Sequence, residues 1–173
     1  MNQTSELLQK MADLGLTLGS VESMTGGGFA EEITSVPGAS HVYKGGIVAY
    51  TREIKEKIVG IDPAVIDKYG VVSREVARQL AIKGKEALGV DVCISITGNA
   101  GPDAEKGQAK VGDFHLGLAY KNALYVLPVH FDGTREKIRE RAIATMVTFV
   151  ASLFKDYEKK NADDIEENSE SGK

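Results

Sequence analysis

Apolar residues recur along this chain at two spacings, and the switching between them predicts the order of its elements. Ser5 to Leu14 places Leu7, Leu8, Met11 and Leu14 at helical spacing, whereas Leu16 to Val21 alternates as a short strand does. Phe29 to Val36 returns to the helical pattern and stops at Pro37-Gly38, and His41 to Tyr50 is an aromatic and β-branched run that predicts a strand. Glu53 to Val59 and Pro63 to Tyr69 predict two short helices with Gly60 and Gly70 as stops. Ser73 is placed to cap a longer helix with Val76, Ala77, Leu80, Ala81, Ala87 and Leu88 on its apolar face. Val90 to Thr97 is almost continuously apolar, as a strand buried on both faces is. Beyond a polar loop from Gly98 to Gly112, Asp113 to Tyr120 and Ala123 to Phe131 flank Lys121-Asn122 and predict an antiparallel hairpin. Thr134 to Tyr157 predicts the last helix, with Ile138, Ala142, Ile143, Met146, Val147, Val150 and Leu153 on one side. Strands alternating with helices, plus one hairpin, predict an α/β fold: a three-layer α/β/α sandwich on a mixed, mostly parallel sheet of about five strands, one of them antiparallel.

Composition narrows the possibilities. With 173 residues and 42% hydrophobic content the chain buries a substantial core, expected as one domain over residues 1–157. Residues 158–173 form an acidic tail that lacks the apolar area to offset the entropy of ordering and is expected to be disordered. Of the net charge of −4, that tail carries −3, from six acidic and three basic residues. The remainder is nearly neutral and has no basic stripe, which argues against nucleic acid as a partner. Cys93 is the only cysteine, so neither a disulfide framework nor a paired-thiol site is available. No apolar stretch approaches the length of a membrane span and no signal pattern opens the chain, so a cytoplasmic protein that does not engage membranes is expected. A homo-oligomer, with a dimer favoured, is expected from the size of the sheet.

The candidate chemistry begins at Val21-Glu22-Ser23-Met24-Thr25-Gly26-Gly27-Gly28, where a strand delivers a hydroxyl into a glycine-rich turn that opens a helix. Such a turn lets backbone N–H groups approach an anion, whether a phosphate or a transient oxyanion. It also accommodates a plain structural reading, in which Ser23 or Thr25 caps the helix. In open α/β sheets, ligands bind beyond the carboxyl ends of the strands. That rule points to three loops: Ser23 to Gly28, Tyr50 to Lys55, and Thr97 to Asp103. If their strands are neighbours, Lys55 can reach back toward Ser23 and, with its pKa lowered by burial, take its proton. The alternatives are a Lys55 solvated among Lys44, Arg52 and Lys57, a Tyr50 packed on the core, and a Thr97 hydroxyl bonded to nearby backbone.

The motif Val-Glu-Ser-Met-Thr-Gly-Gly at 21–27 resembles the Ala-Glu-Ser-Cys-Thr-Gly-Gly signature of the CinA C-terminal domain family. Ser35-Val36-Pro37-Gly38-Ala39-Ser40, Gly45-Gly46-Ile47-Val48-Ala49-Tyr50, Lys55 with Val59-Gly60, Gly70-Val71-Val72-Ser73 and Thr97-Gly98-Asn99-Ala100-Gly101-Pro102 follow in the family's order and spacing. The resemblance spans about Leu7 to Val150. It implies a nicotinamide-nucleotide amidase, which hydrolyses the carboxamide of nicotinamide mononucleotide to nicotinate mononucleotide and ammonia in pyridine nucleotide recycling, with no cofactor and no metal. Ser23 is then the nucleophile, Lys55 the base, and Tyr50 a residue that assists or positions Lys55. Met24, Thr25, Gly26 and Gly27 would supply oxyanion donors. Thr97, Gly98, Asn99, Ala100 and Gly101, with Arg135, would anchor the phosphate and ribose, although Arg135 also reads as a solvated first-turn residue. Glu22 would orient a hydroxyl, pair with Lys55 or face solvent.

The chain departs from the family pattern at Met24, where cysteine is usual, and more heavily between Gly101 and Asp113. There the family's double glycine is missing, Lys110 stands in place of a proline and Asp113 in place of a threonine. A carboxylate near a phosphate pocket repels substrate unless it is turned away. Two further readings follow: a non-catalytic nucleotide-binding or regulatory module linked to competence or DNA damage, and an amidase with another substrate. The large N-terminal domain of many family members has no counterpart here, which implies a standalone form.

Overall fold

The computed structural model describes residues 2–104 and 109–155. Helix α1 (Gln3–Asp13) is capped by Asn2, whose side chain accepts the Ser5 N–H, and buries Leu7, Leu8 and Met11. Strand β1 (Leu18–Glu22) leads through the glycine turn to α2 (Gly28–Thr34), and a single 3₁₀ turn at Ala39–His41 precedes β2 (Tyr43–Val48). A short helix, α3 (Arg52–Ile54), runs on as a π turn over Lys55–Val59. Then come α4 (Pro63–Tyr69), α5 (Arg74–Leu88), β3 (Val92–Gly98), the hairpin β4 (Asp113–Tyr120) and β5 (Ala123–His130), and α6 (Arg135–Ser152).

The five strands lie in the order β2-β1-β3-β4-β5. β1 pairs in parallel with both β2 and β3, while β4 runs antiparallel to β3 and β5, so one strand in five points the opposite way. Helices α1, α2 and α6 cover one face, where Phe29, Ile33, Phe114, Leu116, Ile138 and Met146 meet. Helices α4 and α5 cover the other, with Val21, Ile66, Val76, Leu80 and Cys93 between them and the sheet. The fold is the expected three-layer α/β arrangement. The predicted last helix ends at Ser152, with a turn at Leu153 and Phe154 in place of the expected continuation, and Asp156, Tyr157 and the acidic tail lie outside the described residues. No helix among the described residues is long and apolar enough to cross a membrane.

One face position differs from expectation. Ala87 is exposed, and Gly84 takes the buried place instead, because α5 lies so close to the sheet that only a glycine fits against Val21 and Cys93. The same close approach is tied by polar groups: the Ser95 hydroxyl donates to the Ala77 carbonyl at 2.6 Å. Beside it, a Cβ on Gly117 would stand 2.3 Å from the Ala77 carbonyl oxygen. Backbone cannot yield there as a flexible side chain can, so Gly117→Ala is expected to cost about 3 kcal/mol by forcing α5 off β4. Denaturant unfolding of that variant reads the loss.

Because β1, β2 and β3 are parallel neighbours, the loops that leave them gather at one end of the sheet. The end of β5 and the start of α6 lie at the same end, since β4 reverses direction once.

Candidate active site

Lys55 is the centre of this end of the sheet. It starts the π turn, an uncommon helical form that recurs at functional sites, and its side chain is fully buried. Its Nζ lies 2.9 Å from Ser23 Oγ, 2.6 Å from the Ala49 carbonyl and 3.3 Å from the Tyr50 carbonyl. Ser23, 6% exposed, sits just past the end of β1. Burial pulls the Lys55 amine down from 10.5 to about 8.

These three partners dictate the amine's hydrogen pattern. Carbonyl oxygens only accept, so both Ala49 and Tyr50 take an N–H from Nζ. A neutral amine has two N–H groups and one lone pair, which leaves the lone pair for the Ser23 O–H. As an ammonium, Lys55 donates to all three oxygens, Ser23 Oγ included. With its pKa drawn down to about 8 it sheds the third proton near neutral pH, keeps its two N–H groups for the carbonyls and accepts the serine proton on its lone pair. Ala49 acts through its backbone, which carries no side-chain signature in the sequence.

Tyr50 enters the arrangement in two ways. Its carbonyl holds Lys55, while its phenol turns outward, 55% exposed, and accepts a hydrogen bond from Arg135 Nη2 at 3.0 Å. It does not pack on the core. Arg135 Nη1 also donates to the Gly101 carbonyl at 2.7 Å, so this exposed guanidinium bridges the loops after β2 and β3.

Glu22 follows none of the three expected roles. Its carboxylate, 1% exposed, accepts the N–H groups of Gly27, Phe29 and Ala30 at 3.0–3.2 Å. The positive end of α2 is thus occupied by the protein's own negative charge, which corrects the reading of this helix start as an anion site. It also fills the capping role that Gly27, the N-cap of α2, has no side chain to perform, and that neither Ser23 nor Thr25 serves.

The loop expected to supply oxyanion donors divides in half. The Gly26 N–H is taken by the Ser23 carbonyl at 3.0 Å and that of Gly27 by Glu22, so these two are spent on the turn itself. Among the described residues, no acceptor within the chain meets the N–H groups of Met24 and Thr25. The Met24 side chain points into the core, and a Cβ on Gly98 would strike its sulfur.

The Thr97–Gly101 segment is largely committed to structure. The Thr97 hydroxyl donates to the Val71 carbonyl at 2.8 Å, and Ala100 is buried in the core. Asn99 Nδ2 donates to the carbonyls of Asp103 and Ala109 while its Oδ1 accepts the Gly101 N–H, which shapes the loop from inside. Thr97, Gly98, Asn99 and Ala100 thus brace the strand end, and Gly101 meets Arg135 through its carbonyl. Asp113, the carboxylate that raised the question of repulsion, is engaged by His130 Nδ1 at 2.7 Å and by the Lys110 N–H at 3.2 Å. That bond holds the His130 imidazole above its ordinary pKa.

Arg139 joins the site without any expectation from the sequence. Its Nε–H donates to the Met24 carbonyl at 3.0 Å and its Nη2–H to the Thr25 carbonyl at 2.8 Å. The available signal was its place four residues after Arg135, which puts both on one side of α6. Cys93 offers no competing nucleophile: it is buried in β3 and its thiol is pushed up to about 12 by burial. A groove of about 520 Å³ lies between α1, α2 and α6, walled by Glu31, Glu32 and Glu140. Those carboxylates suit it poorly to an anionic ligand, and it is not where Ser23 and Lys55 meet. Among the described residues, no group of His, Cys, Asp and Glu could hold a metal ion.

The family described as the CinA C-terminal domain matches residues 2–154. A putative competence-damage inducible protein of Clostridium kluyveri is 39% identical over 140 residues, covering 81% of this chain and 34% of that protein. One from Bacillus cereus is 42% identical over 138 residues, covering 79% of this chain and 32% of its own length. The chain thus spans about a third of the length of these curated relatives. Among solved structures, a competence-damaged protein (CinA) superfamily protein from Escherichia coli superposes with a TM-score of 0.85 at 29% identity, covering 88% of each chain. A competence/damage inducible protein from Agrobacterium tumefaciens gives 0.78 at 29% identity, covering 89% of this chain and 95% of that one. The sequence match along nearly the whole described chain and the shared sheet agree: this chain belongs to the CinA C-terminal domain family.

Proposed function

We propose that this protein is a serine amidase that hydrolyses the carboxamide of nicotinamide mononucleotide, releasing nicotinate mononucleotide and ammonia in cytoplasmic pyridine nucleotide recycling. The observation that carries this reading is the buried contact of Lys55 Nζ with Ser23 Oγ at 2.9 Å, with the amine held by the Ala49 and Tyr50 carbonyls. Lys55 takes the Ser23 proton as Oγ attacks the amide carbon, and the tetrahedral oxyanion meets the N–H groups of Met24 and Thr25, which have no acceptor within the chain among the described residues. The resulting ammonium of Lys55 passes its proton to the departing nitrogen, the C–N bond breaks and ammonia leaves. The same amine then takes a proton from water, whose oxygen attacks the ester and frees Ser23.

A phosphate-bearing substrate is supported by charge. Arg135 and Arg139 form no ion pair with a carboxylate among the described residues, and both stand beside loops of the site. Arg135, exposed at the rim and only bridging neutral oxygens, is the residue we assign to the phosphate.

Incubating the purified protein with nicotinamide mononucleotide and following ammonia tests the reading. Release by the wild type and loss of at least about a thousandfold in Ser23→Ala is the expected result. Binding without release would select the regulatory nucleotide-binding module instead, and release undiminished by Ser23→Ala would remove the serine from the chemistry.

A further inference from the structure

Thr25 presents an unusual combination. It is fully buried, its hydroxyl oxygen has no hydrogen-bond partner, and its N–H has no acceptor within the chain among the described residues. Buried polar groups are nearly always paired, so an unpaired pair of donors two residues after the nucleophile points to a ligand atom that arrives there. The peptide planes around it are held from behind. In a trans peptide the carbonyl and the following N–H point in opposite directions, so whatever fixes one fixes the other. Arg139 Nε–H holds the Met24 carbonyl toward α6, and the Thr25 N–H accordingly faces away from α6. The Thr25 carbonyl accepts both Arg139 Nη2–H and the Gly28 N–H, and the Gly26 N–H is turned to the Ser23 carbonyl, so among the described residues the Met24 carbonyl is the one that Arg139 alone holds.

We infer that Arg139 is a positioning residue for the reaction: its planar guanidinium locks two successive peptides of the loop after Ser23 and keeps the Thr25 N–H and hydroxyl free for the tetrahedral oxyanion. The inference rests on the amidase reading above. Arginine suits the task because its Nε–H and Nη–H groups lie in one rigid plane and meet two carbonyls at once, which a lysine ammonium does not reproduce. The adjoining turn has the freedom to move if it is released. Gly26 and Gly27 have φ of +59° and +97°, and Gly26 lies beside the guanidinium, with Arg139 Nη2 3.5 Å from where its Cβ would be. Without the clamp, a flip of the Met24–Thr25 peptide would set a carbonyl oxygen where the donor belongs, and that oxygen repels the developing negative charge.

Steady-state hydrolysis of nicotinamide mononucleotide by Arg139→Ala and Arg139→Lys, with and without added guanidinium ion, tests this. The expected result is a fall in kcat of about 10- to 100-fold in both variants with KM changed less than about threefold. The inflection of the pH profile stays at the wild-type value, and guanidinium restores Arg139→Ala several-fold while leaving the wild type unchanged. A rise in KM at constant kcat would overturn the inference by making Arg139 a substrate contact. A loss that guanidinium does not rescue, together with a lowered melting temperature, would overturn it in favour of a role in stability alone. Reaction with an alkyl fluorophosphonate separates this inference from the choice of substrate. There Ser23 Oγ forms a bond to phosphorus, fluoride leaves and Lys55 takes the proton. A wild type that labels at Ser23 but releases no ammonia refutes the nucleotide substrate, and the labelling rate of Arg139→Ala then decides: slowed at least about tenfold supports the clamp, unchanged overturns it.

Discussion

Lys55→Met is expected to lower amide hydrolysis by at least about a thousandfold in kcat while leaving the protein as stable as the wild type or more so. The two effects share one cause. A lysine whose amine is buried and drawn down to about 8 is an amine whose charged form the fold penalises. The folded value lies below the unfolded one, so between pH 8 and 10.5 the unfolded chain holds a proton that the folded chain has lost. Stability from this group therefore rises with pH across that window, and the penalty is complete below pH 8. At pH 7 it amounts to about 3 kcal/mol, from the distance between 10.5 and about 8. Methionine has a similar length and no charge to desolvate. It strands the Ala49 and Tyr50 carbonyls without their donors, which offsets part of the gain. Thermal melts at pH 7 and pH 10 check the claim: the variant's advantage at pH 7 should shrink or vanish at pH 10.

The second large effect is on rate. Only the neutral amine accepts the Ser23 proton, so kcat/KM should rise about tenfold per pH unit below pH 8 and level off above it. At pH 7 the enzyme should run about tenfold below its plateau. A profile of initial ammonia release from pH 6.5 to 9.5 displays this directly. An inflection near 10.4, the value of a solvated lysine, would mean that Lys55 reacts from a more open state than the buried one described here.

Much of this architecture is legible in the sequence because local signals and burial agree. Ser73 caps α5 and Gly89 ends it in the left-handed conformation, and the nearly continuous apolar run at 92–96 is a strand buried on both faces. The hairpin falls where Lys121-Asn122 separates its runs, and a single reversed strand follows from it. What the sequence leaves open is the identity of partners set by tertiary packing. Glu22 is an acidic residue next to a serine, and nothing local says that its carboxylate turns back to three N–H groups of the next helix. Thr97 has a hydroxyl suited to a ligand, but Val71, twenty-six positions earlier, takes it. Gly84 replaces Ala87 under the sheet because the distance between helix and sheet, not the helical period, chooses the smallest residue. Ala49 and Arg139 escape a reading of side-chain chemistry for opposite reasons. The first acts through a carbonyl that every residue has, and the second acts on carbonyls 114 and 115 positions away.

The loop between Gly101 and Asp113 shows how a departure from a family pattern is absorbed. Asp113 directs its carboxylate to His130, the residue paired with it in the β4–β5 ladder, and to the Lys110 N–H. With the carboxylate held this way, the Gly101 carbonyl is met by the Arg135 guanidinium at 2.7 Å.

The most direct test of the whole account is the titration of the Lys55 amine itself, followed by NMR of the 13Cε resonance in lysine-labelled protein and assigned by its absence from Lys55→Met. The account predicts a single transition near pH 8 that moves when Ser23 is replaced by alanine. A transition near 10.4 that ignores Ser23 would contradict it, because the amine would then be charged throughout the working range and unable to accept the serine proton.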